Sequence, residues 1–211
     1  MTQAFSILGR VFRLWWSEFL LLIFFNLVWL VLLIPIVTGP PATAAMYVIA
    51  RRLADGEFVE PRHGLDALRQ VLGPAWVWGV INLVIVGVLL GNFWLYQSNT
   101  GWLWTGLRLI WGIIALGWFA VNLFYWPFWL VQEDRSPKLT LRNSFIFLAR
   151  QPGLALTIVL VSAFIIIISV LTTLPLATAL MTWLALIGVL AVEEALHPHD
   201  EDDTIVIEPM Q

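Results

Sequence analysis

Among the polar side chains inside the long apolar runs of this 211-residue chain, five are the first places where chemistry could reside. Arg108 lies about two turns into the run from Trp102 to Val131, and Glu18 lies just inside the run from about Trp16 to Val37. An ionisable group held in hydrocarbon is disfavoured by about 3 kcal/mol on insertion scales, so either residue is a candidate functional group. Arg108 would bind an anionic substrate or a lipid phosphate, or its long side chain would snorkel to the interface. Glu18, beside Trp15 and Trp16, would face headgroup water or pair with a nearby arginine. Asn26, Asn82 and Asn122 fall at comparable depths in three different runs, two to three turns from their cytoplasmic ends. Facing inward they would form a polar layer able to hold a solute or ion; facing a neighbouring helix they would hydrogen-bond to it and tighten packing.

Other chemistry is excluded or weak. The chain has no cysteine, so disulfides, thiolate nucleophiles and cysteine metal sites are absent. It contains no serine-protease dyad, P-loop, G-x-G-x-x-G fingerprint or H-E-x-x-H spacing, and no catalytic residue is expected. His63, His197 and His199 fall in predicted cytoplasmic segments, which argues against intramembrane haem or chlorophyll ligation; no cofactor is expected. The run His197-Pro198-His199-Asp200-Glu201-Asp202-Asp203 would chelate a metal only loosely and reads as a solvated acidic tail, so no metal site is expected. No nucleic-acid surface is implied: the net charge is −3, with the acidic excess between Glu193 and Glu208.

The elements that position these residues are membrane helices. The chain is 60% hydrophobic and 12% charged, and uncharged runs of about 20 residues recur, the length that crosses a roughly 30 Å hydrocarbon layer. The first run is preceded by an amphipathic segment with Phe5, Leu8, Phe12 and Trp15 at helical spacing. Leu65 to Leu72 and Leu141 to Arg150 repeat that character. Further runs extend from Pro74 to Tyr96, Trp102 to Val131, Gly153 to Leu171 and Pro175 to Val192. Between Pro40 and Ala54 a shorter stretch ends in Arg51 and Arg52.

An internal repeat bears on that short stretch. Thr38, Pro40, Ala42, Thr43, Ala44 and Met46 match Thr173, Pro175, Ala177, Thr178, Ala179 and Met181 at constant offset, each copy following an amphipathic basic segment and a long run. The repeat units are about 4–54 and 139–192. Prolines here would open returning helices, where their missing N–H groups are not needed, or would mark broken helices that present N–H groups to an anion. The two A-T-A segments favour close helix packing, with Thr43 and Thr178 bonding back to the backbone. The expected fold is therefore all-α: a polytopic integral membrane bundle over residues 1–192 with about six membrane segments in three hairpins, or five if 40–54 does not cross. Short amphipathic helices lie in the interface, and residues 193–211 form a flexible acidic tail.

Ten basic residues, from Arg10 and Arg13 to Lys138, Arg142 and Arg150, fall on one side of the six-segment arrangement, and the opposite loops carry no charge. The positive-inside rule puts that side, and both termini, in the cytoplasm of a cell with this inner-membrane protein. Several of the 13 tryptophans, including Trp16, Trp94 and Trp102, sit near run ends as interfacial anchors.

The segment Pro41-Ala42-Thr43-Ala44-Ala45-Met46-Tyr47, followed by Arg51 and Gly56, resembles the YesL-like family of bacterial membrane proteins, a family of unknown function. The resemblance implies a helical membrane protein of this size, often encoded beside sugar-uptake permeases, with no site residues to carry over. The functional expectation is a non-enzymatic accessory or regulatory protein, associated with solute uptake and in contact with membrane lipids and a permease or other membrane complex. The alternative is a small transporter or channel acting as a homo-oligomer.

Overall fold

A computed structural model gives the fold and describes residues 2–197. Among the described residues there are nine helices and no strand. The first is α1 (Thr2–Ser17), which meets α2 (Phe19–Leu33) at a 93° bend. Its apolar stripe explains the bend: Ala4, Ile7 and Val11 recur at helical spacing and are fully buried against the bundle, while Phe5, Phe12 and Trp16 face outward. Helix α2 is apolar apart from Asn26, and α3 (Gly39–Ala54) follows after a short turn.

The amphipathic turns at Leu65 to Leu72 do not form a separate helix. They continue without a break into α4 (Pro61–Tyr96), 36 residues or about 54 Å long, with Pro74 inside it. Proline is tolerated there because the freed carbonyl can be satisfied locally within a membrane helix. Helices α5 (Trp102–Val131), α6 (Pro137–Arg150) and α7 (Pro152–Thr172) come next. The last apolar run, expected as one continuous span, is broken at Ala179 into α8 (Leu174–Thr178) and α9 (Leu180–Leu196). Helix α9 carries Glu193 and Glu194, so the acidic segment begins as helix; residues 198–211, with His199, lie outside the described residues.

Three helices, α4, α5 and α7, are long and apolar enough to cross a membrane, and a fourth crossing results if the bent pair α1–α2 counts as one. These helices keep most of their apolar surface outward: Leu83, Leu109, Ile113 and Phe164 are all more than 60% exposed. A helix of that kind requires a lipid or protein surround, and the chain is a membrane protein by this criterion.

The core is built instead around α3 and α9. On α3, Ala42, Ala44, Ala45 and nearly every residue from Met46 to Leu53 are buried, and α9 is buried almost continuously from Ala185 to Val192. Small residues permit this close approach. Gly79 lies under Pro40, and a Cβ at Gly188 would stand 2.6 Å from the Leu123 carbonyl oxygen. At the base of the core, Arg10 of α1 donates to Glu193 of α9 over 3.1 Å, with Glu194 at 3.9 Å, so the two ends of the described chain meet at one end of the bundle.

The turns before α3 and α8 each hold a β-branched residue in the left-handed region, Ile36 at φ 63° and Thr173 at φ 58°. That conformation costs an L-residue roughly 1–2 kcal/mol, most for a β-branched one. Thr173→Gly is therefore expected to raise stability by up to about 1 kcal/mol, because glycine gives back part of the relief as unfolded-chain entropy. A rise in the SDS concentration needed for half-unfolding is the measurement; a fall would show that the Thr173 side chain contributes more than its backbone strain removes.

Candidate functional site: three asparagines in the membrane bundle

The three asparagines divide between two sets of hydrogen-bond partners. Asn26 is fully buried on α2 and faces the break between α8 and α9. Its Nδ2 donates to the carbonyl oxygens of Leu176 and Ala177, both at 2.8 Å, and its Oδ1 accepts from the Met181 N–H at 2.9 Å. A helix end leaves carbonyls and N–H groups without intrahelical partners, and in an apolar surround these groups have no water to turn to. One carboxamide, with two donors and an acceptor, matches the break at Ala179. Asn26 is thus committed to the protein at both ends of its amide.

Asn82 and Asn122 lie together on α4 and α5. Each donates its Nδ2 to the carbonyl four residues earlier, Trp78 at 3.0 Å and Trp118 at 2.9 Å. The Trp118 indole Nε1 then donates to Asn82 Oδ1 at 3.0 Å, tying the two helices. Trp78 stacks on Tyr125 with ring centroids 3.6 Å apart and planes 4° from parallel, which fixes the same junction from below. Above it α4 and α5 leave the core, and a cleft of about 310 Å³ opens between them and α3 and α9. Asn82 and Asn122 line it beside Thr43, Tyr47 and Phe119.

The repeat-motif residues serve different roles in their two settings. Pro40 occupies the first turn of α3 and packs on Gly79, and Pro175 occupies the first turn of α8. Thr178 donates to the Leu174 carbonyl at 3.0 Å, whereas Thr43 accepts from the Trp29 indole at 3.0 Å across the α2–α3 pair.

Arg108 and Glu18 stand apart from the cleft. Arg108 is half-buried on the outer part of α5 and reaches Thr105 of its own helix at 3.4 Å. Glu18 is exposed at the N-cap of α2, in the bend after α1, where a carboxylate is favoured by the helix dipole. Neither is brought to Asn26, Asn82 or Asn122.

Sequence reasoning missed Trp118, which joins the two cleft asparagines, and Gly188, which lets α9 reach α5. The first had a signal: Trp78 and Asn82, and again Trp118 and Asn122, stand four residues apart, one helical turn. Gly188 had none, since a glycine in an apolar run does not name the backbone that will lie against it.

No curated protein and no solved structure matches the chain. A family model does match, over residues 22–93, from α2 through most of α4, and its description reads protein of unknown function, DUF624. That stretch contains the P-A-T-A-A segment, Asn26 and Asn82. The match over residues 22–93 places this membrane protein's similarity in DUF624, the family of unknown function to which the YesL-like proteins belong.

Proposed function

We propose that the protein is a non-enzymatic accessory or regulatory subunit of a larger inner-membrane assembly, of the kind that serves solute uptake. The observation that carries the reading is the outer half of the α4–α5 hairpin. Gly87 and Gly91 of α4 are one turn apart on one face, with open space beyond both. Leu83, Leu90 and Trp94 flank them and are at least 64% exposed. Leu89, on the opposite face of the helix, is buried. A G-x-x-x-G face of this kind lets a second helix approach to backbone contact, and the bundle itself places nothing there.

In this reading α2, α3, α4, α5, α7 and the broken α8–α9 are six membrane segments, with α3 a short crossing of about 24 Å. The order amphipathic helix, apolar helix, short returning helix occurs twice, at α1–α2–α3 and at α6–α7–α8/α9, which supports the internal repeat. The Arg10–Glu193 contact supports placing both termini on one side, and the basic residues make that side cytoplasmic. A small homo-oligomeric transporter or channel is the second reading, favoured by the polar cleft at Asn82 and Asn122.

Native purification of the tagged full chain in lipid nanodiscs is expected to recover a second membrane protein in fixed ratio. The double substitution Gly87→Leu and Gly91→Leu is expected to lower that recovery at least tenfold while the protein itself still purifies. Recovery of the chain alone, at low and high expression, would contradict the accessory reading.

A further inference from the structure

The cleft asparagines differ from Asn26 in having hydrogen-bonding capacity left over. Each carboxamide carries two N–H donors and an oxygen acceptor. Asn82 and Asn122 each donate once, and Asn122 Oδ1 has no protein partner among the described residues. An amide oxygen among apolar groups is disfavoured until a donor reaches it. No charged side chain lines the cleft, so nothing there compensates an anion or a cation. The volume, about 310 Å³, far exceeds the ~30 Å³ share of one water. Most of the wall is apolar, from Trp78, Trp126, Leu123 and Leu184.

We propose that this cleft binds an uncharged, hydroxyl-bearing ligand. A hydroxyl both donates and accepts; it would donate to Asn122 Oδ1 and accept from a remaining amide N–H, with the ligand's carbon skeleton against the apolar wall. Two sources share that chemistry, a free polyol and the headgroup of a neutral lipid such as diacylglycerol. The proposal stands independently of the accessory role, which rests on the outer face of α4.

The test uses the full chain in phosphatidylcholine nanodiscs, titrated with dioctanoylglycerol or, separately, with sorbitol. Intrinsic tryptophan fluorescence is the readout, since Trp78, Trp118 and Trp126 surround the amides. A saturable change with dioctanoylglycerol alone assigns the lipid source, and one with sorbitol alone assigns the solute. Asn122→Leu is expected to weaken binding about tenfold, in line with one lost hydrogen bond. Leu184→Trp, which fills the cleft, is expected to abolish binding even if the asparagine variant folds poorly. Asn92→Leu alters an amide that only bonds Val88 on the outer part of α4 and is expected to bind as the parent does. No saturable change with either probe, or binding undiminished in both cleft variants, would overturn the proposal.

Discussion

Gly188→Leu is expected to abolish the folded bundle. A single added Cβ would already stand 2.6 Å from the Leu123 carbonyl oxygen, 3.2 Å from Pro127 and 3.3 Å from the Tyr47 ring. The first of these is backbone of α5 and has no rotamer through which to withdraw. Three helices meet at this point, so relief requires α9 to move away from α3 and α5 together. Overpacking by an alanine here is expected to cost about 1–3 kcal/mol, the usual range for extra core volume, and leucine more. Retention on size exclusion and SDS-induced unfolding of Gly188→Ala and Gly188→Leu give the comparison. Near-parental stability of the leucine variant would mean that α9 does not lie against α5 at this register. Gly87→Leu is the control, because a Cβ at Gly87 meets nothing within 4 Å.

The second large effect is expected at Asn26. Asn26→Leu keeps the branching of the side chain but removes all three bonds to the α8–α9 break, stranding the Leu176 and Ala177 carbonyls and the Met181 N–H. Hydrogen bonds inside membrane proteins measure about 0.6 kcal/mol on average and up to roughly 1.7. Three of them on one side chain give an expected loss of about 2–5 kcal/mol, since these partners belong to a broken helix and have no alternative within it. Asn26→Asp is also expected to destabilise, because a carboxylate keeps the acceptor for Met181 but turns its second oxygen toward two carbonyls. Asn92→Leu, on the exposed outer part of α4, is expected to change stability by less than about 0.5 kcal/mol, as surface substitutions do. Equal stability of Asn26→Leu and Asn92→Leu would contradict the assignment of Asn26 as the tie across the break.

What the sequence disclosed follows from which forces act locally. Apolar run length identified α4, α5 and α7, because crossing a hydrocarbon layer is a constraint on consecutive residues. The amphipathic stripes of α1 and α6 were legible for the same reason. Less legible was the centre of the bundle. Helix α3, with its alanines and terminal arginines, reads as the weakest membrane segment, yet it lies at the core, because small residues favour close packing over contact with lipid. The break at Ala179 was hidden as well: nothing between Leu174 and Leu196 announces it beyond Pro175, and its stabilising partner is more than 140 residues away in α2. The asparagines were visible as polar residues in apolar runs. Their division into one tie and one cleft pair depends on how helices rotate against one another, which spacing along a single helix does not report.

The same architecture separates stability from function. Core helices α3 and α9, with Asn26 and Gly188, hold the fold, and the outer α4–α5 hairpin is left to interact with whatever surrounds it. Arg108, half-buried on that hairpin, lies on the same outer part of the molecule.

Photo-cross-linking in intact membranes tests the accessory reading most directly. A photoreactive amino acid at Leu90, beside Gly91 on the outward face of α4, is expected to yield one discrete protein adduct. The same residue at Leu186, buried in α9, is expected to yield only adducts within the chain. A discrete heterologous adduct at Leu90, lost when Gly87 is changed to leucine, is the outcome expected of an accessory subunit. Adducts with lipid alone at Leu90, or only with a second copy of this chain, would contradict an accessory subunit.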